Sequence, residues 1–270
     1  MIACLQMYDW PEVHATLDRF WQCVSENLCE SGIAAPSALD RPAVFASGWR
    51  DPDLLLGQTC GLPFVSGRCG NAVLVGQPDF GIQGASGGRY TSALVCRADD
   101  PSESLASFRG RVAAINEYGS QSGCNALADA VLDIGAHPDA SFFSEARVSG
   151  AHRASANLVA AGGADIAAID AVAWALHGAF ESDAHARLRV LEWTRSMPAL
   201  PYICAPRFAD LRTELLVALN GAVSSRDDWP LPVPRMGITG TKQSDYDPIR
   251  RMAQRVRGLK LAPTSPPIGA

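Results

Sequence analysis

Arg111-Val112-Ala113-Ala114-Ile115, followed by Gly119-Ser120-Gln121-Ser122-Gly123, is the stretch on which the reading of this chain turns. The apolar run has the length of a short buried strand. Small hydroxyl and glycine residues come next, where a helix must begin. Leu127, Ala130, Val131 and Ile134 then recur at helical spacing, and Gly135 closes the helix. A helix N-terminus carries amide groups with no intrahelical acceptor and about half a unit of positive charge. Serine hydroxyls add donors there. The pattern fits a small phosphate-like or carboxylate anion, held without a metal.

The neighbouring segments repeat the alternation. Ile2–Met7 has the pattern of a first strand, and Val13, Leu17, Phe20, Val24 and Leu28 mark the buried face of a first helix. Val44–Ser47, Asn71–Val75, Tyr90–Cys96, Ile166–Ile169 and Leu188–Leu191 are expected strands, and Leu200–Cys204 an extended connection. Asp51-Pro52-Asp53 resembles a helix start, and Cys60-Gly61-Leu62-Pro63 a tight loop. Helices are expected at Arg153–Ala161, from Asp170 to His177, around Leu211–Leu219, and from Asp247 to Gly258. Strands alternating with helices predict an α/β fold with largely parallel sheets, whose ligands bind at the carboxyl ends of strands. Ser120, His152 and Asp170 all fall in loops that a helix follows.

At 270 residues the chain can hold one large domain or two small ones. Its net charge of −5 argues against a general nucleic-acid binder. No stretch reaches the roughly 18 consecutive apolar residues of a membrane span. Met1 to Asp9 lacks the basic start and apolar core of a secretion signal. As written, the chain is expected to be cytoplasmic, or periplasmic if a longer precursor was trimmed. Eight scattered cysteines form no metal-ligand spacing, so no metal or other cofactor is expected. Cys60 and Cys69 could close a small loop in an oxidising compartment.

Several motifs in order carry a family resemblance. Arg109-Gly110-Arg111-Val112-Ala113 followed by Gly119-Ser120-Gln121-Ser122-Gly123 resembles the signature of ABC-transporter substrate-binding proteins for phosphonate, phosphite and phosphate. Ser149-Gly150-Ala151-His152, Gly163-Ala164-Asp165-Ile166-Ala167-Ala168-Ile169-Asp170 and Gly88-Arg89-Tyr90-Thr91-Ser92 resemble further stretches of that family. The resemblance implies a two-lobed α/β fold of the type II periplasmic-binding-protein kind, with two hinge strands and a ligand cleft between the lobes. It places residues 1–93 with 202–270 in lobe one and 94–201 in lobe two. It implies ligand contacts from Ser120, Gln121, Ser122, Gly123, His152 and Asp170. Tyr90, Trp49 and Tyr8 are candidates for the aromatic residue that the family's first lobe supplies. Gln121 stands where the family has threonine. The implied protein is a non-catalytic monomer that closes on a small oxyanion ligand and serves ABC-transporter membrane subunits.

Two other roles stay open from the residues. Cys124, in the first turn of the anion-binding helix, could be a nucleophile with His152 and Asp170, or the fold could serve another cytoplasmic enzyme. A ligand sensor could use Arg250, Arg251, Arg255 and Arg257, the basic face of the last helix, to dock a partner.

Overall fold

The computed structural model describes residues 1–42, 46–135 and 141–269. The chain divides into two compact units, residues 1–89 with 198–247 and residues 90–197 with 248–270. Each has its own five-stranded sheet.

The first unit orders its strands Ile2–Cys4, Leu54–Gln58, Tyr202–Cys204, Val73–Pro78, Ile238–Thr239. Tyr202–Cys204 runs antiparallel to both neighbours, while Ile2–Cys4 and Leu54–Gln58 are parallel. Helix His14–Glu30 buries Leu17, Phe20, Val24 and Leu28, as their spacing predicts, and adds Trp21. It packs on helix Arg212–Ser224. Two local expectations change here. Asp51-Pro52-Asp53 is a turn in which the Asp51 carboxylate accepts the Asp53 amide at 2.8 Å, and a strand follows it instead of a helix. Cys60–Pro63 is the start of a short helix, Gly61–Val65. Of the strand expected at Val44–Ser47, Val44 and Phe45 lie outside the described residues, and Ser47 begins a 3-10 turn.

The second unit orders its strands Leu188–Trp193, Ser92–Arg97, Ile166–Asp170, Val112–Ile115, Glu145–Val148. Ser92–Arg97 is antiparallel to both neighbours, and Val112–Ile115 parallel to both of its own. Both sheets are therefore mixed, not largely parallel. Tyr202–Cys204 and Val73–Pro78 in the first sheet, and Ser92–Arg97 in the second, run against their neighbours on both sides, which a sequence pattern of apolar runs does not reveal. Ile166–Asp170 is buried at every position, so it shows no alternation.

Leu94, Phe108, Ile115, Leu127, Val131, Phe142 and Phe143 form the core of this unit. Val256, Leu259, Leu261 and Ile268 belong to the same cluster. Each such side chain contributes roughly 1.5–3 kcal/mol on burial, and this groups the last helix, Asp247–Val256, with the second unit from Pro248 onward. The sequence had placed that segment in lobe one. On its basic face, Arg255 pairs with Asp129 and Asp133 of helix Ala126–Asp133. No helix among the described residues is long and apolar enough to cross a membrane. All eight cysteines, Cys60 and Cys69 included, are free thiols.

Candidate functional site

In the second unit, strand Val112–Ile115 ends at Asn116, and the chain turns through Gly119 to Ser120. Ser120 has extended backbone and its hydroxyl accepts the Gly123 amide at 3.0 Å, making it the N-cap. The first turn, Gln121–Asn125, is wound as a π-helix, with the Asn125 amide donating to the Ser120 carbonyl at 3.1 Å. It continues as Ala126–Asp133, so one helix of usable length begins here. The wider turn suits a site where backbone amides face a ligand.

The hydroxyl of Ser122 lies 2.8 Å from His152 Nε2. The Ser122 carbonyl accepts the Ser92 hydroxyl, also at 2.8 Å. Ser92 in turn pairs with Asp170 across the sheet. Ser120, Ser122, Ser92 and Asp170 are all at most 5% exposed. Sequence reasoning thus named residues that the fold brings to one end of one sheet. It missed Ser92 and Asn116. Both sit at strand ends facing this loop, and their position at the ends of apolar runs was the available signal.

Gly123 is fixed by close approach, since a Cβ there would stand 1.9 Å from Asn116 Oδ1 and 3.3 Å from His152 Cε1. Burial pushes the His152 imidazole down to about 4, against a backbone hydrogen bond at Ala168. The ring is neutral at pH 7, and Ser122 and His152 share one proton between hydroxyl and imidazole. An arriving anion would find the helix start, this hydroxyl and this ring together.

Asp170 ends its strand and caps the next helix, Ala171–Phe180, accepting the Val172 and Ala173 amides at 2.9 and 3.3 Å. Replacing it with alanine is expected to cost about 1–2 kcal/mol in a denaturant titration, and with asparagine only a few tenths. Equal losses for both would show that the charge, not the cap, is what matters.

Gln121 is fully buried, and its amide nitrogen donates to the Met252 sulfur at 2.8 Å. Tyr90 is 2% exposed and borders the same helix start with Gln121. Tyr8 and Trp49 belong to the first unit. Tyr8 packs edge-on against Phe80 with centroids 5.7 Å apart, and the Trp49 indole donates to the Gln58 carbonyl at 3.0 Å.

The thiol of Cys124 does not behave as its position at a helix start suggested. Burial pushes it up to about 12. Desolvation outweighs the helix dipole, so the thiolate is unavailable at pH 7. Among the described residues, no three His, Cys, Asp or Glu side chains gather as a metal site would require.

Residues 56–246 match the model of a family described as the ABC-transporter phosphonate periplasmic substrate-binding protein. A search of curated proteins gives no match. Among solved structures, the chain is similar to PhnD1 from Prochlorococcus marinus in complex with methylphosphonate (TM-score 0.69, 16% identity, 94% of this chain and 97% of that one). It is also similar to a binding-protein component of an ABC phosphonate transporter from Pseudomonas aeruginosa (0.68, 13%, 93% and 84%). A third is XAC2383 from Xanthomonas citri bound to ATP (0.65, 17%, 93% and 94%). These likenesses establish the type II periplasmic-binding-protein fold.

Proposed function

Because this chain belongs to the phosphonate periplasmic substrate-binding proteins of ABC transporters, we propose that the helix start at Ser120–Gly123 holds the phosphorus oxyanion of its solute. The protein is a solute-binding transport receptor by family. The observation that carries the site assignment is the 2.8 Å Ser122–His152 pair at a capped helix start. The backbone amides at Gln121 and Ser122 lie in the first turn, where helix geometry gives them no internal acceptor. They and the Ser122 hydroxyl would satisfy the anion's oxygens. His152 would hold the Ser122 hydroxyl and can take up a proton as the negative charge arrives.

Asp170 acts in this reading by fixing the helix that follows strand Ile166–Asp170, and Tyr90 borders the bound group. The burial of Cys124 supports a receptor over a cysteine-based enzyme. The same reading places the working protein in the periplasm, delivering its solute to the membrane subunits of a transporter. Cell fractionation checks the location.

The site assignment is tested by thermal melts with phosphate, phosphite, methylphosphonate and methanesulfonate. A ligand at about 100 times its Kd stabilises by about 2.7 kcal/mol. For a chain of this size that raises the melting temperature by several degrees. A phosphorus oxyanion is expected to do so, and Ser122→Ala to remove most of the shift. A rise with methanesulfonate alone would turn the reading to sulfonates. No rise with any of them would end it.

A further inference from the structure

Where the last helix meets helix Ala126–Asp133, the second unit has a cavity of about 390 Å³. Every residue lining it belongs to that unit. Arg195 and Asp133 in its wall are each about half exposed, so it opens to solvent. It is separate from the helix start, since Asp129 lies roughly 13 Å along the helix from Ser120 at 1.5 Å per residue.

The charged wall is built on a buried carboxylate. Asp129 is 2% exposed. Its Oδ2 accepts Arg195 Nε at 3.1 Å, and its Oδ1 accepts Arg255 Nη1. Asp133 pairs with both guanidiniums as well, at 2.8 Å each. The two arginines are held in fixed orientations, and Arg195 Nη1 and Arg255 Nη2 keep donors with no acceptor among the described residues. Arg251, one turn before Arg255, lines the same cavity. It is exposed and has no acidic partner among the described residues. Three cations thus face two carboxylates, and one positive charge is unmatched. Pro248 and the buried Met197 and Met252 supply an apolar wall.

We propose that this cavity is a second binding site, which takes a compact organic monoanion, a carboxylate attached to a small apolar body. One surplus positive charge matches one negative charge, and a dianion would set excess charge beside Asp133. A guanidinium grips a carboxylate through two parallel N–H bonds. Donors already held in place bind without the full cost of ordering them. The methionines and the proline cover the ligand's apolar part. The volume falls within the range of small-molecule sites, about 300–1,000 Å³. The inference asks nothing of Ser122 or His152 and stands apart from the helix-start reading.

The experiment measures, by calorimetry, the binding of benzoate, acetate and benzylammonium to wild type, Ser122→Ala, Arg251→Met and Arg251→Glu. Wild type is expected to bind benzoate at least about tenfold more tightly than acetate, a difference of about 1.4 kcal/mol, and not to bind benzylammonium. Ser122→Ala should leave the benzoate affinity within about twofold of wild type. Arg251→Glu should weaken benzoate at least about tenfold and create binding of benzylammonium. Arg251→Met removes the charge alone and should give the same loss of benzoate, which carries the test if the glutamate variant fails to fold. No binding of benzoate by wild type overturns the inference, as do equal binding of acetate and an unchanged benzoate affinity in a folded Arg251 variant. Loss of benzoate in Ser122→Ala also overturns it and moves the carboxylate to the helix start. A helix start that binds no phosphorus oxyanion leaves this site untouched, so the two readings fail separately.

Discussion

Lowering the pH from 7 to 4 is expected to destabilise the folded chain by several kcal/mol, chiefly through two histidines. His152 and His177 are each pushed down to about 4 by burial. In the unfolded chain both return to the ordinary value near 6.5. Between those values the unfolded state binds more protons, so stability rises with pH across the window and falls on acidification. A shift of that size corresponds to roughly 3 kcal/mol for each group at its full extent.

His177 is the more completely buried of the two. Its Nδ1 faces His185 Nδ1 at 3.2 Å and its Nε2 faces Asn157 Oδ1 at 3.1 Å. His185 and Arg153 oppose its protonation while Glu181 favours it. Trp174 stacks nearly parallel to its ring. Asp100, whose carboxyl is also held low, contributes in a different range. Its stability is present above the ordinary carboxylate value and is lost only as pH falls through the lowered one. Urea titrations at pH 7, 5.5 and 4.5 separate the two. Stability flat over that range would refute the histidine account. Replacing His177 with glutamine should reduce the slope by about half.

Gly123→Ala is expected to damage stability and ligand affinity together. The added methyl would stand 1.9 Å from Asn116 Oδ1 and 2.8 Å from its Cγ, so the whole carboxamide must move. The Asn116 backbone is held in place, because its carbonyl accepts the Gly150 amide at 2.9 Å and the Ile115 carbonyl accepts the Ser149 amide at 2.8 Å. Overpacking of this kind costs typically about 1–3 kcal/mol. Any relief by backbone shift moves Ser122 away from His152. Affinity for the best phosphorus oxyanion should therefore fall at least about tenfold, a loss of about 1.4 kcal/mol. Adding Asn116→Ala removes both clashing atoms, and the double variant should recover most of the lost stability. A double variant no more stable than Gly123→Ala alone would show that the clash is not the cause.

The readable parts of the fold are those where burial is one-sided and periodic. Helix His14–Glu30 shows its apolar stripe because its other face meets water. Strand Leu54–Gln58 is buried throughout, and the Asp51-Pro52-Asp53 turn before it has the composition of a helix cap. Turn and cap draw on the same side-chain chemistry, so only the course of the chain distinguishes them. Glu145–Val148 was not anticipated at all. Its residues are half-buried or exposed, and an edge strand of this kind carries little hydrophobic signal.

For the site, sequence alone determined that an apolar strand runs into a hydroxyl-rich helix start, because that local order depends only on neighbours along the chain. It also placed His152 and Asp170 at the starts of other helices, and the family resemblance tied them to one ligand. Tertiary structure decided what each side chain does. It gave the Ser120 hydroxyl and the Asp170 carboxylate to helix capping, set Ser122 against His152, and buried Cys124 beyond reactivity. It also moved the last helix into the second unit, where Met252 meets Gln121 across 131 positions of sequence. Contacts over such separations depend on how the sheet orders its strands and on what that order buries, and neither is written in local pattern.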